Sequence, residues 1–317
     1  MAKSNESKTP QGHAKHSMRE QADKYIAARA NRGKSKASGA TLRSDRTVDR
    51  YKGDLARVAE AIQHEYGIKR LKDITQTQAQ MYIDQRLKEG IRVRTIQGYA
   101  KALELLPNVS DLVVPSRATD SSDKPTGTRA YTLAQIKEIQ KFLNSPKSQL
   151  ATQIILESGC RTQDLASLRL NSENPITNAR ISKLHSDRFA GREEWVKVNF
   201  IGKGGHEYIS TINPETAKAL EQNRLTNPRD FRERKQENVV TKQYYDLPAG
   251  KILSTQWSRA ADHALGLKRG LHGLRHTFAQ ERLKDMQRAG MVWEKALECV
   301  SQQMGHYRAS EVKTYLR

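Results

Sequence analysis

LHGLRHTFAQERL (Leu271–Leu283) and MGHYRASEVKTYLR (Met304–Arg317) close the chain, and between them they hold two His-containing turns that precede a tyrosine, Tyr315. His272 and Arg275 are spaced one helical turn apart, so both can donate to one oxyanion. His272 and His276, at i and i+4, also face the same way. A metalloprotease needs HExxH, however, and Gly-Leu-Arg separates these two histidines; without the general-base Glu the zinc hydrolase reading fails. His, Arg and Tyr gathered in a basic chain point instead to chemistry on phosphate.

The charge balance agrees. Lys and Arg number 55 against 35 Asp and Glu over 317 residues, a formal net charge of +20. Such an excess favours a polyanionic partner, because each neutralised phosphate releases condensed counterions. With 36% hydrophobic residues the chain can bury a core, yet no run of about 18 apolar residues offers a membrane span. The N-terminus MAKSNESKTPQGHAKHS is basic but has no apolar segment of the secretory kind. Cys160 and Cys299 are too few for a disulfide framework and lack the CxxC spacing of a zinc site. The expectation is a cytoplasmic protein with no metal and no cofactor.

Residues 1–44, rich in Lys, Arg, Ser, Ala and Gly, read as a basic, flexible N-terminal arm, with one short helix conceivable at 18–30. From Thr47 the pattern tightens. Val48, Tyr51, Leu55, Val58 and Ile62 form one helical stripe that ends at Gly67. A second helix starts after Thr75 or Thr77 and stops at Gly90; a third buries Ile96, Tyr99, Leu103 and Leu106 before Pro107. Residues 45–107 are thus a small all-helical domain whose outer faces, with Arg50, Arg57, Arg86 and Arg94 among others and Arg43 just before it, are mainly positive. Ser, Thr, Asp, Pro and Gly without periodicity make 108–129 a linker.

The second domain, 130–317, opens with a helix capped by Thr132. An apolar helix at about 149–157 breaks at Gly159, and CRTQDLASLRL is expected to restart a helix with Arg161 in its first turn. A cation there opposes the helix dipole, so Arg161 either pairs with Asp164 or serves another purpose. Alternating character on both sides of IGKGG makes 195–212 a hairpin with Lys203 at its tip. A hairpin-tip lysine is ordinarily solvated, and GxxxxGK[ST] is not met, so this is no phosphate-binding loop of the nucleotide kind. PRDFRERKQEN (228–238) reads as a charged surface loop or exposed helix, and SRAADHALGLK (258–268) as helical.

Arg161, Lys203, His272, Arg275, His306 and Tyr315 are the groups that metal-free phosphodiester chemistry requires. Guanidiniums clamp non-bridging oxygens, a lysine protonates a leaving oxygen, and a tyrosine attacks phosphorus. Taken in order, SGCRTQDLASLRL, IGKGGHEYISTI, LHGLRHTFA and MGHYRASEVKTY resemble the first arginine box, lysine hairpin, His-x-x-Arg box and Gly-His-to-nucleophile segment of the tyrosine recombinase (phage integrase) family.

That resemblance implies a mainly α fold with a small β-hairpin or sheet: a helical SAM-like core-binding domain followed by an α+β catalytic domain. It implies that Arg161, Arg275 and His306 hold the scissile phosphate and that His272 assists proton transfer. Lys203 would be the general acid, Asp164 would buttress Arg161, and Tyr315 would form a 3′-phosphotyrosyl bond. The implied function is site-specific recombination or integration of a phage or other mobile element, needing neither metal nor ATP. The implied partners are double-stranded DNA with a specific recombination site, a homotetramer on that DNA and an accessory DNA-bending protein, in the cytoplasm of a bacterial cell at the nucleoid. Family members commonly continue past the tyrosine into a tail that docks on a neighbouring subunit. Two residues follow Tyr315 here, which leaves protomer coupling to other surfaces or to a tail outside this sequence. A type IB topoisomerase and a DNA-binding relative without catalysis are the alternatives.

Overall fold

The computed structural model describes residues 17–30, 42, 45–116, 128–176, 184–203, 205–232, 240–266 and 269–316. The chain divides into two compact units, Met1–Pro125 and Thr126–Arg317.

The first unit is helical: α1 (Met18–Arg29), α2 (Asp45–Tyr66), α3 (Gln76–Lys88) and α4 (Val93–Leu103). The apolar stripe read from the sequence lies inward, with Val48, Leu55, Val58 and Ile62 all buried. Thr75 caps α3 through a capping box with Gln78, and Gly67 follows α2 with φ +66, where a β-carbon would be strained. Two expectations change in this unit. The short helix expected at 18–30 forms over residues 18–29, but instead of lying in a flexible arm it packs along α2. Ser17 and Glu20 close a capping box at its start, and Met18, Ala22 and Ile26 are buried in the common core. Its apolar positions are few and small, so periodicity alone does not reveal them. The start of the expected linker is likewise structured: Val109 and Leu112 join the core, and Gln76 and Gln80 pair with the backbone of Ser110 and Val113. The rest of the expected arm (1–16, 31–41, 43 and 44) and residues 117–127 of the linker lie outside the described residues.

The second unit begins with α5 (Leu133–Lys141) and α6 (Pro146–Ser158). Next come β1 (Arg169–Leu170), β2 (Val196–Ile201) and β3 (Glu207–Ile212), an antiparallel sheet in that order. The chain continues through α7 (Pro214–Glu221), the hairpin β4 (Arg224–Arg232) and β5 (Val240–Tyr245), α8 (Gly250–Leu265), α9 (Gly273–Arg288), α10 (Trp293–Gln303) and α11 (Ala309–Val312). Two apolar clusters organise it. Tyr131, Ile154, Phe200, Tyr208, Trp257 and Leu274 belong to the larger one, which ties the sheet to α6, α8 and the start of α9. Phe278, Leu297, Val300, Met304, Val312 and Tyr315 belong to the other, which ties α9 to α10 and α11.

Two stretches depart from expectation here too. No α-helix restarts after Cys160: a turn leads into one 3₁₀ turn (Asp164–Ser167) and then into β1, which pairs Arg169 with Asn199. Ser167 explains the break. Its hydroxyl donates to Asp164 O, a carbonyl that a continuing helix would pair with a backbone N–H, and accepts from Ile201 N of β2. The stretch from 224 to 232 is a strand rather than a loop or helix. Arg229 and Asp230 pair across it with Gln243 and Lys242, and Pro228 falls where the register shifts between Arg224 and Arg229. Residues 233–238 of that stretch lie outside the described residues.

Candidate active site

α6 ends at Gly159, whose φ of +66 turns the chain sharply. A β-carbon there would lie 2.3 Å from the Phe278 ring, so only glycine lets α9 come this close. The close approach has a direct consequence: Arg275, fully buried on α9, donates through Nη1 to the carbonyl of Gly159. Two residues on, Arg161 leans over the same turn.

Arg161 does pair with Asp164, and it does more. Its Nη1 lies 3.3 Å from Asp164 Oδ2, while its Nη2 lies 3.3 Å from His306 Nε2. Arg275 Nη2 reaches the same His306 Nε2 at 3.0 Å and Tyr315 Oη at 3.4 Å. Tyr315 Oη in turn is 3.1 Å from His306 Nε2. Three distant segments, 159–164, 272–276 and 305–315, therefore meet at one nitrogen and one hydroxyl.

The order of α10 and the turn after it places His306. Gly305 is left-handed (φ +70), and His306 N–H donates back to Ser301 O at 2.9 Å, closing the helix in a Schellman turn. The imidazole is thereby held beside the guanidiniums. A guanidinium can only donate, so the network assigns Nε2 as the acceptor and the proton to Nδ1. Burial, followed by the charges of Arg275 and Arg161, pushes His306 down to about 3, and the ring is neutral at physiological pH. One lone pair cannot satisfy two guanidiniums and a phenol. The site holds more donors than acceptors, and Arg275 Nε is buried with no partner among the described residues. An oxyanion with several lone pairs would correct that imbalance.

His272 stands at the start of α9 with its ring 5.5 Å from the Tyr315 ring. Partial burial and the cations Arg275 and Arg161 lower it to about 4, although one face of the residue is open to solvent. Lys203 is exposed at the hairpin tip, and no hydrogen bond or ion pair joins it to the described residues. Its neighbour Gly202 is nearer the cluster: a β-carbon there would lie 3.6 Å from Arg161 Nη1. The structure thus gathers Arg161, Asp164, Arg275, His306 and Tyr315 by direct contact and His272 by ring contact, with Lys203 apart at the tip of the adjoining hairpin.

Sequence reasoning passed over three contributors. His276 Nδ1 and Gln280 Nε2 lie 3.2 and 3.0 Å from the carbonyl of Tyr315, anchoring the backbone that carries the phenol. In the sequence His276 reads only as half of an incomplete zinc motif; its helical spacing from Gln280 is the available signal. Tyr208 on β3 donates to Asp164 Oδ2 at 2.7 Å and reads in the sequence as an ordinary inward strand residue. Tyr307, set apart from the nucleophile position, packs against the larger core and donates to Glu207 O at 2.7 Å. Cys160, next to Arg161, is fully buried and pushed up to about 12, so its thiol is inert at neutral pH.

No helix among the described residues is long and apolar enough to cross a membrane, and nowhere among them do three His, Cys, Asp or Glu gather as metal ligands. Comparison with protein-family models and with curated protein sequences returned no match. Comparison with solved structures did. A XerH site-specific recombinase bound to palindromic difH substrate, in a post-cleavage complex, matches with a TM-score of 0.57 at 15% identity over 94% of this chain and 91% of that one. A lambda integrase tetramer bound to a Holliday junction matches with a TM-score of 0.55 at 16% identity over 93% and 76%. A lambda integrase dimer bound to a COC′ core site matches with a TM-score of 0.54 at 15% identity over 94% of each. The chain has the tyrosine-recombinase fold.

Proposed function

We propose that this protein is a site-specific DNA recombinase that cleaves and rejoins double-stranded DNA through Tyr315. The observation that carries the reading is the convergence of Arg161 and Arg275 on His306 Nε2, and of Arg275 and His306 on the Tyr315 hydroxyl, in a cluster with more donors than acceptors. A phosphodiester entering there supplies the missing acceptors: its non-bridging oxygens take the guanidinium protons that His306 Nε2 cannot accommodate, and a tautomeric shift lets Nε2 donate as well. Tyr315 Oη then forms the bond to phosphorus as the bond from phosphorus to the 5′ oxygen breaks. His272 assists removal of the phenolic proton, and Lys203, brought in by its hairpin, supplies one to the leaving oxygen. The product is a 3′-phosphotyrosyl diester and a free 5′ hydroxyl. Because that diester keeps the energy of the broken bond, a 5′ hydroxyl from another strand can attack it and complete the exchange without cofactor or metal.

The charge of +20 supports a polyanionic substrate, and the tetramer on a Holliday junction seen for lambda integrase fits exchange between two duplexes. Integration or excision of a mobile element is the context we assign, with a homotetramer assembling on the recombination site. Covalent capture tests the reading. Duplexes of randomised sequence, each nicked so that the cleaved fragment diffuses away, are incubated with the protein and separated under denaturing conditions. The wild-type chain should retain a subset of sequences as an adduct, and Tyr315→Phe none. An adduct that survives this substitution contradicts the assignment, and indiscriminate relaxation of supercoiled plasmid without recombinants would make the protein a type IB topoisomerase.

A further inference from the structure

Tyr208 is fully buried on β3, and its ring touches three separate parts of the site. Its hydroxyl donates at 2.7 Å to Asp164 Oδ2, the same oxygen that accepts from Arg161 Nη1. A β-carbon on Gly305, the residue before His306, would lie 2.7 Å from Tyr208 Cδ1, so the Gly-His turn rests directly on the ring. A β-carbon on Gly202, the residue before Lys203, would lie 3.2 Å from Tyr208 Cε1, so the base of the hairpin rests there too. The ring is held from behind by Phe200, its cross-strand partner, at 5.3 Å between centroids. A second tyrosine fastens the same joint: Tyr307, in a left-handed conformation (φ +56), donates to the carbonyl of Glu207 at 2.7 Å. Left-handed backbone is costly for a tyrosine and persists where its surroundings impose it.

We infer that Tyr208 is a positioning residue for the reaction proposed above: it sets Arg161, the Lys203 hairpin and His306 in register with one another. The inference rests on the recombinase reading. Three catalytic segments come from different places in the chain, and small displacements between reacting groups cost rate steeply. A buried aromatic ring is a rigid spacer with one polar end, and both features are used. The ring face sets the distance between the two glycine turns. The hydroxyl, kept protonated by burial and by the carboxylate beside it, fixes the rotamer of Asp164 and through it the plane of the Arg161 guanidinium. Both glycines are then required for contact with the ring, whatever their role in turning the chain.

The test is single-turnover cleavage of a nicked duplex taken from the covalent-capture pool, at saturating protein, alongside DNA affinity and thermal melting. Tyr208→Phe keeps the ring and removes the hydroxyl. Its cleavage rate should fall by roughly tenfold, the effect of one positioning hydrogen bond to a charged group, while DNA affinity stays within about threefold. Combined with Asp164→Asn it should be no slower than the slower single variant, because hydroxyl and carboxylate act on Arg161 in series. Gly202→Ala, at the half-buried base of the hairpin, adds a methyl against the ring and should also slow cleavage without weakening binding, with thermal melting reporting whether the fold is kept. Wild-type cleavage by Tyr208→Phe, losses of affinity and cleavage in equal measure, or multiplying effects with Asp164→Asn would overturn the assignment. No adduct with the wild-type chain would sink the recombinase reading itself, and this inference with it.

Discussion

Arg275 donates to Gly159 O and His306 Nε2 from a position with no access to solvent, and no other residue type supplies those bonds in one plane. Arg275→Lys keeps the charge and loses the fork. We expect cleavage to fall by at least about a hundredfold and stability by about 1–3 kcal/mol, because the buried Gly159 carbonyl loses its partner; rate assays and chemical denaturation read the two separately. The histidines make a further prediction through pH. His306 is pushed from 6.5 to about 3 and His272 to about 4, so both are neutral in the fold at any pH above these values. The unfolded chain binds their protons once pH drops below 6.5. Stability is therefore independent of these groups above about pH 7 and is lost as pH falls from 6.5 towards 4, by at most about 1.4 kcal/mol per pH unit for each proton and by less here because both rings keep some solvent. Denaturation at pH 7.5 and 5 should show a smaller loss for His306→Gln than for wild type; an equal loss would mean the imidazole is already charged in the fold. At this scale the sequence was legible where residue type is bound to chemistry. Arg161, His272, Arg275, His306 and Tyr315 stand in recognisable boxes and come together in the fold. Tyr208 and Gln280 stayed hidden because a tyrosine on a strand and a glutamine on a helix have many ordinary uses.

The elements show which patterns survive translation into structure. Helices with a full apolar stripe, such as α2 and α4, are visible from spacing alone, and the hairpin of β2 and β3 from alternation around a glycine turn. β4 was not visible. Asn227, Pro228 and Asp230 disfavour strands, and most of its side chains face solvent, so what holds it is pairing with β5 through Arg229 and Gln243, information that lies elsewhere in the chain. α1 is legible as a short helix but not as part of the core, because its burial depends on α2. Ile26 is fully buried in their shared core. Ile26→Ala should cost about 2–4 kcal/mol in denaturant unfolding, whereas a flexible arm would tolerate it without change. Gly159 makes a second claim at this scale. Gly159→Ala combines a left-handed conformation with a clash against Phe278, so we expect a drop in melting temperature together with loss of cleavage, since both arginines are placed by this turn.

For the whole molecule, charge and chemistry divide the work. The excess of +20 makes affinity for DNA strongly dependent on salt. Binding to duplexes of arbitrary sequence should weaken by roughly a hundredfold or more between 50 and 200 mM salt, while Arg161→Ala, which removes one cation from the cluster, should leave that slope nearly unchanged and stop cleavage. A parallel loss of both would place Arg161 among the general DNA contacts instead. The order of the four sequence boxes carried the fold class, because such widely separated segments have a common purpose only if the chain brings them together. The packing that does so, glycines admitting Phe278 and the Tyr208 ring, follows from close approach in three dimensions and leaves no periodic trace. The proposed chemistry depends on the phenol of Tyr315 being the group that takes the phosphate. Mass spectrometry of the protease-digested covalent adduct tests that most directly: the nucleotides should be found on the peptide containing Tyr315, attached through a 3′ phosphate, and their attachment to any other residue, Tyr307 included, would contradict it.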